Sequence, residues 1–238
     1  MDVVEILPRL HLLRFPVGQA CLWRDDDGLT LVDSGPKGAG AAITGAIRSL
    51  GHDPAELRRI VLTHFHEDHA GGAGELARSC GAQVLAHRLD APYVRGEAAP
   101  PPPRYEDGEQ ALHAAALAQL PEGDPVRPRR LTELSDGDVL GFGGGARVVH
   151  APGHTDGSIG VHLPRYGVLF TGDTIAVSPV DGSVVLGVFG LDRARTLAAF
   201  RQLAALDPQV ACFGHGAPLT ERAGETLRRA AAGYAPPA

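Results

Sequence analysis

Thr63-His64-Phe65-His66-Glu67-Asp68-His69 sets four candidate metal ligands, His64, His66, Asp68 and His69, within six residues. On one side Arg59-Ile60-Val61-Leu62 reads as a buried strand. On the other, Ala70-Gly71-Gly72-Ala73-Gly74-Glu75-Leu76-Ala77 reads as a loop entering a helix. The ligands therefore sit where a strand ends and a helix begins, and their side chains can converge there. A helix N-terminus adds unsatisfied donors and positive potential. Imidazole nitrogens with one carboxylate suit zinc or a similar divalent metal.

Outward from that stretch, composition narrows the class. The chain has 238 residues with 44% hydrophobic content, enough for a real core, and reads as one domain. The formal net charge is −6, and the basic residues are nearly all arginine without a run. A large nucleic-acid surface needs clustered Lys and Arg, so none is expected. Cys21, Cys80 and Cys212 are an odd, scattered set with no CxxC, which points to a reducing compartment rather than a disulfide framework. Met1-Asp2-Val3-Val4-Glu5 has no basic run or long apolar stretch, so neither a signal peptide nor a membrane span is expected, and a cytoplasmic protein is.

In chain order, residues 3–15 read as a strand pair. Residues 20–23 and 29–32 read as a hairpin around Asp25-Asp26-Asp27-Gly28. Residues 39–50 carry helical spacing, closed by Gly51, and Asp53-Pro54-Ala55-Glu56-Leu57 is a capped turn. After the histidine cluster come a helix over 74–79 and a strand over 82–86. From about 97 to 130 the character changes. Pro100 to Pro103 reads as polyproline II, Gln110 to Leu120 as an Ala- and Leu-rich helix, and none of the candidate ligands falls here. This Pro-rich insertion is read as a lid or substrate wall. Strands return at 139–142, 146–150, 158–163, 168–170 and 209–213, and helices at 191–206 and 220–231. The strands fall into two sets, each closing with a helix, which suits two β-rich halves. Gly143-Gly144-Gly145 is a turn and lacks the context of a phosphate loop.

Three further candidates stand beside glycine at strand ends: His154 in Pro152-Gly153-His154, Asp173 in Thr171-Gly172-Asp173, and His215 in Gly214-His215-Gly216. With the first cluster they make seven ligands. At this point the chain resembles the metallo-β-lactamase-fold hydrolase superfamily, on His64-x-His66-x-Asp68-His69 followed by His154, Asp173 and His215, and on Asp33 in Leu31-Val32-Asp33-Ser34-Gly35. The resemblance covers nearly all of the chain outside the 97–130 block. It implies an α/β fold, a four-layer αββα sandwich of two mixed β-sheets flanked by helices, over a single domain 1–238. It also implies that His64, His66 and His154 hold one metal, that Asp68, His69 and His215 hold a second, and that Asp173 bridges them. Asp68 and Asp173 are thus the catalytic carboxylates. Two divalent ions are expected, zinc first with manganese or iron as alternatives. They can lower the pKa of a shared water from 15.7 towards about 7, giving a hydroxide nucleophile at neutral pH.

Departures from particular branches narrow the substrate. Asp173 at the bridging slot speaks against a true β-lactamase. Only one helix's worth of chain follows His215, which weakens a full glyoxalase II assignment. Thr174-Ile175-Ala176-Val177 lacks the tyrosine that well-known acyl-homoserine lactonases carry there. The expectation is a dinuclear hydrolase of a small ester, lactone or thioester, in the glyoxalase II-like and lactonase-like part of the superfamily. The rivals are a mononuclear iron persulfide dioxygenase, a β-lactamase and a non-catalytic metal-binding scaffold. No nucleic-acid or membrane partner is expected, and oligomeric state is left open. Asp33 either orients a ligand loop or caps the following turn. His11, His52, His87, His113, His150 and His162 fit no ligand slot, and Glu67 is expected to be solvated. Phe65, Tyr93, Tyr105 and Phe189 are candidates for the pocket wall.

Overall fold

The computed structural model describes residues 1–234. The chain divides into two compact units: residues 1–99 with 115–134, and residues 100–114 with 135–234.

The first unit is built on a seven-stranded sheet whose spatial order follows the chain. Its strands are β1 (Asp2–Leu7), β2 (Leu10–Arg14), β3 (Gln19–Asp25), β4 (Gly28–Val32), β5 (Leu57–Val61), β6 (Gln83–His87) and β7 (Leu131–Leu134). Pairing is antiparallel from β1 to β4 and parallel from β4 to β7. The change follows from the connections. Tight turns join β1 to β4, whereas parallel neighbours need crossovers long enough to hold a helix. These are α1 (Ala39–Ser49) between β4 and β5, and α2 (Glu67–Ala70) with α3 (Ala73–Cys80) between β5 and β6. Helix α4 (Ala91–Arg95) follows β6. Ile43, Ala46 and Ile47 of α1 and Leu76 of α3 join Leu29, Leu31, Ile60 and Val84 of the sheet in one buried cluster. No side chain on the first turn of α1 caps it; Glu75 of α3 does, accepting from Gly38 N (2.8 Å) and Gly40 N (3.2 Å). The hairpins, α1 and the strand into the histidines fall where the sequence places them. The 54–56 turn carries a capping box between Asp53 and Glu56.

In the second unit the sheet runs β14-β11-β10-β9-β8, formed by β8 (Val139–Leu140), β9 (Ala146–His150), β10 (Ile159–Leu163), β11 (Val168–Phe170) and β14 (Val210–Cys212). A separate ribbon pairs β12 (Ile175–Val177) with β13 (Val184–Leu186). All pairs in the main sheet are antiparallel except β11 with β14. That parallel pair is joined through α6 (Arg193–Ala204), whose Leu197, Phe200 and Leu203 are buried with Leu169, Ala211 and Leu227. Asp192 caps α6, accepting from Arg195 N at 3.0 Å. The last described helix is α7 (Ala223–Ala232).

The 97–130 block differs from a self-contained excursion. Its helix α5 (Glu109–Leu117) has no buried residue. Residues 100–114 belong to the second unit, where Arg104 N donates to Gly190 O at 2.9 Å. The 118–130 stretch belongs to the first. There Arg127 donates to Tyr93 O (3.2 Å), and the Val126 carbonyl presses against Gly74. The strand β7 directly after it, which alternation alone did not reveal, completes the sheet edge. No helix among the described residues is long and apolar enough to cross a membrane.

Candidate metal centre

In the first unit the site is set by the carboxyl ends of two adjacent parallel strands. β4 and β5 pair Val32 with Val61, so Asp33 and the Thr63–His69 stretch emerge side by side. Asp33 sits in the left-handed region at φ 60, which aspartate tolerates, and is 4% exposed. Its Oδ1 accepts from Thr63 N (2.7 Å) and Thr63 Oγ1 (3.0 Å). Its Oδ2 lies 2.8 Å from Thr63 Oγ1 and 3.0 Å from His69 Nδ1. Of the two roles open to Asp33 on sequence, orienting the ligand loop is the one observed.

These contacts fix protons. An ionised carboxylate only accepts, so His69 Nδ1 carries the hydrogen, which in the neutral imidazole leaves the lone pair on Nε2. The single Thr63 hydroxyl proton is directed at Asp33. Its oxygen therefore accepts from His64 Nδ1, 3.1 Å away, and His64 Nε2 is also left with its lone pair. That nitrogen lies 3.0 Å from His66 Nδ1, close to the edge of about 3.3 Å for two nitrogens on one tetrahedral zinc at about 2.0–2.1 Å each. Ligand atoms of His64 and His69, and of Asp68 and His69, fall within 4.8 Å of one another. His69 Nε2 is 3.4 Å from Asp68 Oδ2. Donor chemistry and spacing in this unit thus fit a divalent metal.

The helix begins earlier than the sequence reading had it. Asp68 and His69 lie inside α2 rather than ahead of a helix, and Gly71 and Gly72, both with right-handed helical dihedrals, join α2 to α3. A Cβ at Gly71 would collide with the Lys37 amide and the Glu67 carbonyl, so only glycine allows that approach. Ser34 N and Oγ both donate to His69 O at 2.7 Å, pinning the backbone of that candidate ligand. Glu67 is not solvated as expected. It is half-buried, and its Oε1 has no hydrogen-bond partner among the described residues. Burial raises its carboxyl pKa, with Lys37 and Arg127 acting the other way.

In the second unit, register again does the placing. Phe170 of β11 pairs with Cys212 of β14, and Asp173 and His215 each lie three residues beyond that pair. His215 Nε2 is 3.3 Å from Asp173 Oδ2, and His154 Nε2 is 3.7 Å from the same oxygen. His154 is buried, and His215 is 38% exposed. Gly153, at φ 136, passes so close to Thr196 that a Cβ would lie 2.5 Å from its Oγ1.

The remaining sequence candidates sort by surroundings. Phe65 is a buried member of the first unit's apolar cluster and packs on both Tyr93 and His66 at 4.7 Å. Phe189 lines a cavity in the second unit. Tyr105, exposed, shares a 2.7 Å hydrogen bond with His113. His87 is buried, and His150 Nε2 contacts Asp156 O at 2.8 Å; both are packed residues as expected. Sequence reasoning missed Asp90, which is fully buried and accepts from Phe65 N at 3.1 Å, holding the loop between His64 and His66. It carries no periodic or motif signal.

Residues 15–215 match the Metallo-beta-lactamase superfamily. The chain belongs to that superfamily. A probable metallo-hydrolase, YflN of Bacillus subtilis (strain 168), is 30% identical over 212 residues, covering 80% of this chain and 76% of that protein. A hydroxyacylglutathione hydrolase of Cereibacter sphaeroides (strain ATCC 17029 / ATH 2.4.9) is 30% identical over 164 residues, 67% of this chain but only 48% of that protein. Among solved structures, a metallo-beta-lactamase family protein from Thermus thermophilus superposes with a TM-score of 0.69 at 26% identity, covering 96% of this chain and 78% of that one. The fold is therefore the metallo-beta-lactamase fold, and the protein is a metal-dependent hydrolase of that superfamily.

Proposed function

We propose that the protein is a dinuclear hydrolase of small thioesters, esters or lactones. In this reading His64, His66 and His154 hold one ion, Asp68, His69 and His215 hold the other, and Asp173 bridges. The observation that carries it is the position of Asp173. A single oxygen of its carboxylate faces His154 at 3.7 Å and His215 at 3.3 Å, and the two imidazoles are assigned to different ions. Zinc is the proposed metal, on the donor set of imidazoles and carboxylates. Bound ions would supply an acidified water at neutral pH and a Lewis acid for the carbonyl oxygen. The chain's own part is positional. Asp33 keeps His64 and His69 in the tautomer that presents Nε2, Ser34 fixes the His69 backbone, and Asp68 and Asp173 supply the negative charge that two dications require. The insertion is assigned to the substrate wall through its 100–114 limb, whose helix α5 buries nothing of its own. Thioesters lead the substrate list because the relative named above is a hydroxyacylglutathione hydrolase. The setting is read as cytoplasmic, in keeping with free Cys21, Cys80 and Cys212.

Elemental analysis of metal-replete protein, with a hydrolysis screen over thioesters, esters, lactones and β-lactams, tests the reading. Two divalent ions per chain with thioester or lactone turnover are expected. Asp173→Ala should weaken both sites and remove most activity. One iron per chain with no second site would point to oxygenase chemistry instead.

A further inference from the structure

The 100–114 limb and the start of α6 enclose a cavity of about 280 Å³. That lies just under the range of about 300–1,000 Å³ for whole ligand pockets, the size of a subsite for part of a molecule. Its floor is tied to the ligand loops of the same unit. Leu191 N and Asp192 N donate to Gly153 O at 2.8 and 2.9 Å, and Gly187 N donates to Thr174 O at 3.2 Å. Whatever fills the cavity therefore lies one loop away from His154 and Asp173.

The charges lining it are unevenly used. Glu109 is turned onto backbone, accepting from Glu106 N (3.1 Å) and Phe189 N (3.4 Å), and Asp192 is occupied as the cap of α6. The two arginines are not used in this way. Neither Arg104 nor Arg193 pairs with a carboxylate among the described residues, although the neighbouring Arg195 binds Asp156 at 2.7 Å. Arg193 lies 5.8 Å over the Tyr234 ring. Phe189, on the cavity wall, is held at φ 59 against the His113 ring at 4.8 Å. A bulky side chain in the left-handed region costs energy that surrounding contacts must sustain, and such positions concentrate at ligand sites. Glu106, whose carboxylate has no partner among the described residues, leaves the rim of mixed sign. A single carboxylate fits that balance better than a doubly charged phosphate.

We propose that this cavity binds a carboxylate tail on the substrate, with Arg104 and Arg193 as its recognition residues and Phe189 as its apolar wall. The proposal rests on the ester or thioester reading above for the rest of the substrate. The guanidinium fork supplies paired donors to a carboxylate, and selectivity for charge over an isosteric amide follows.

Titration calorimetry on the metal-loaded protein tests this, with methylthiobutanoate and its uncharged amide as non-hydrolysable probes. Wild type should bind the carboxylate roughly tenfold more tightly than the amide. Arg104→Gln and Arg193→Gln should each reduce that preference, and the double variant should abolish it while amide affinity and metal content stay unchanged. Both arginines are exposed, so folding should not be at risk. Equal binding of the two probes by wild type, or a preference that survives in the double variant, overturns the proposal. If the preference holds but no ester, thioester or lactone is turned over, the hydrolytic reading fails and the subsite stands.

Discussion

Asp33→Asn isolates what a single buried carboxylate does for the metal ligands. Asp33 is 4% exposed and meets Thr63 N, Thr63 Oγ1 and His69 Nδ1 at 2.7 to 3.0 Å. The amide keeps one acceptor oxygen, which can still serve Thr63 and, through its hydroxyl, His64. The other oxygen becomes an NH2 facing the Nδ1 hydrogen of His69, donor against donor. His69 escapes by moving its proton to Nε2, the nitrogen that the ligand role needs bare. Replacing a group that orients a ligand costs about 10- to 100-fold in metal affinity, or about 1.4 to 2.7 kcal/mol. The loss should fall on the ion assigned to His69, Asp68 and His215, with the His64 site changed much less. Zinc titration against a chromophoric chelator resolves the two steps, and a thermal melt checks that the fold persists. Equal weakening of both sites would show that Asp33 acts through general loop stability. No weakening at all would refute the tautomer argument.

Gly153→Ala should weaken the site containing His154 by roughly five- to 150-fold without deleting a donor. Its Cβ would press on Thr196 from a backbone angle that alanine resists, and overpacking of this kind costs about 1–3 kcal/mol; zinc titration and a melting curve measure both effects. His162 supplies a pH test on stability. Burial chiefly, and Arg147 next to it, hold its pKa below 6.5. The folded state therefore binds fewer protons than the unfolded one between that lowered value and 6.5. The stability from this residue is complete above 6.5 and is lost as pH falls from there through the folded value. Urea midpoints at about pH 7.5 and about pH 5.5 should accordingly fall further for wild type than for His162→Gln; equal falls would contradict the burial argument.

The candidate ligand types, their order and most of the elements that carry them were legible along the chain alone. Local spacing is enough for that. His64, His66, Asp68 and His69 lie within six residues after an apolar strand, and each later candidate has glycine beside it. Helix α1, the hairpins and the apolar face of α6 were legible for the same reason, because periodicity is written along the chain. Tertiary structure decided what depends on partners far away in sequence. The role of Asp33 needed the β4–β5 register, and the place of Asp173 beside His215 needed the pairing of Phe170 with Cys212. Glu67 was misread because burial is set by the segments that pack around a residue and not by the residue's own polarity. Asp90 was missed because a buried carboxylate that holds a loop leaves no periodic trace. Neither strand β7 nor the cavity beside α6 could be read either, since a four-residue sheet edge and a concave surface exist only once distant segments pack. Spacing fixes which groups are available, and packing fixes which protons and charges they present.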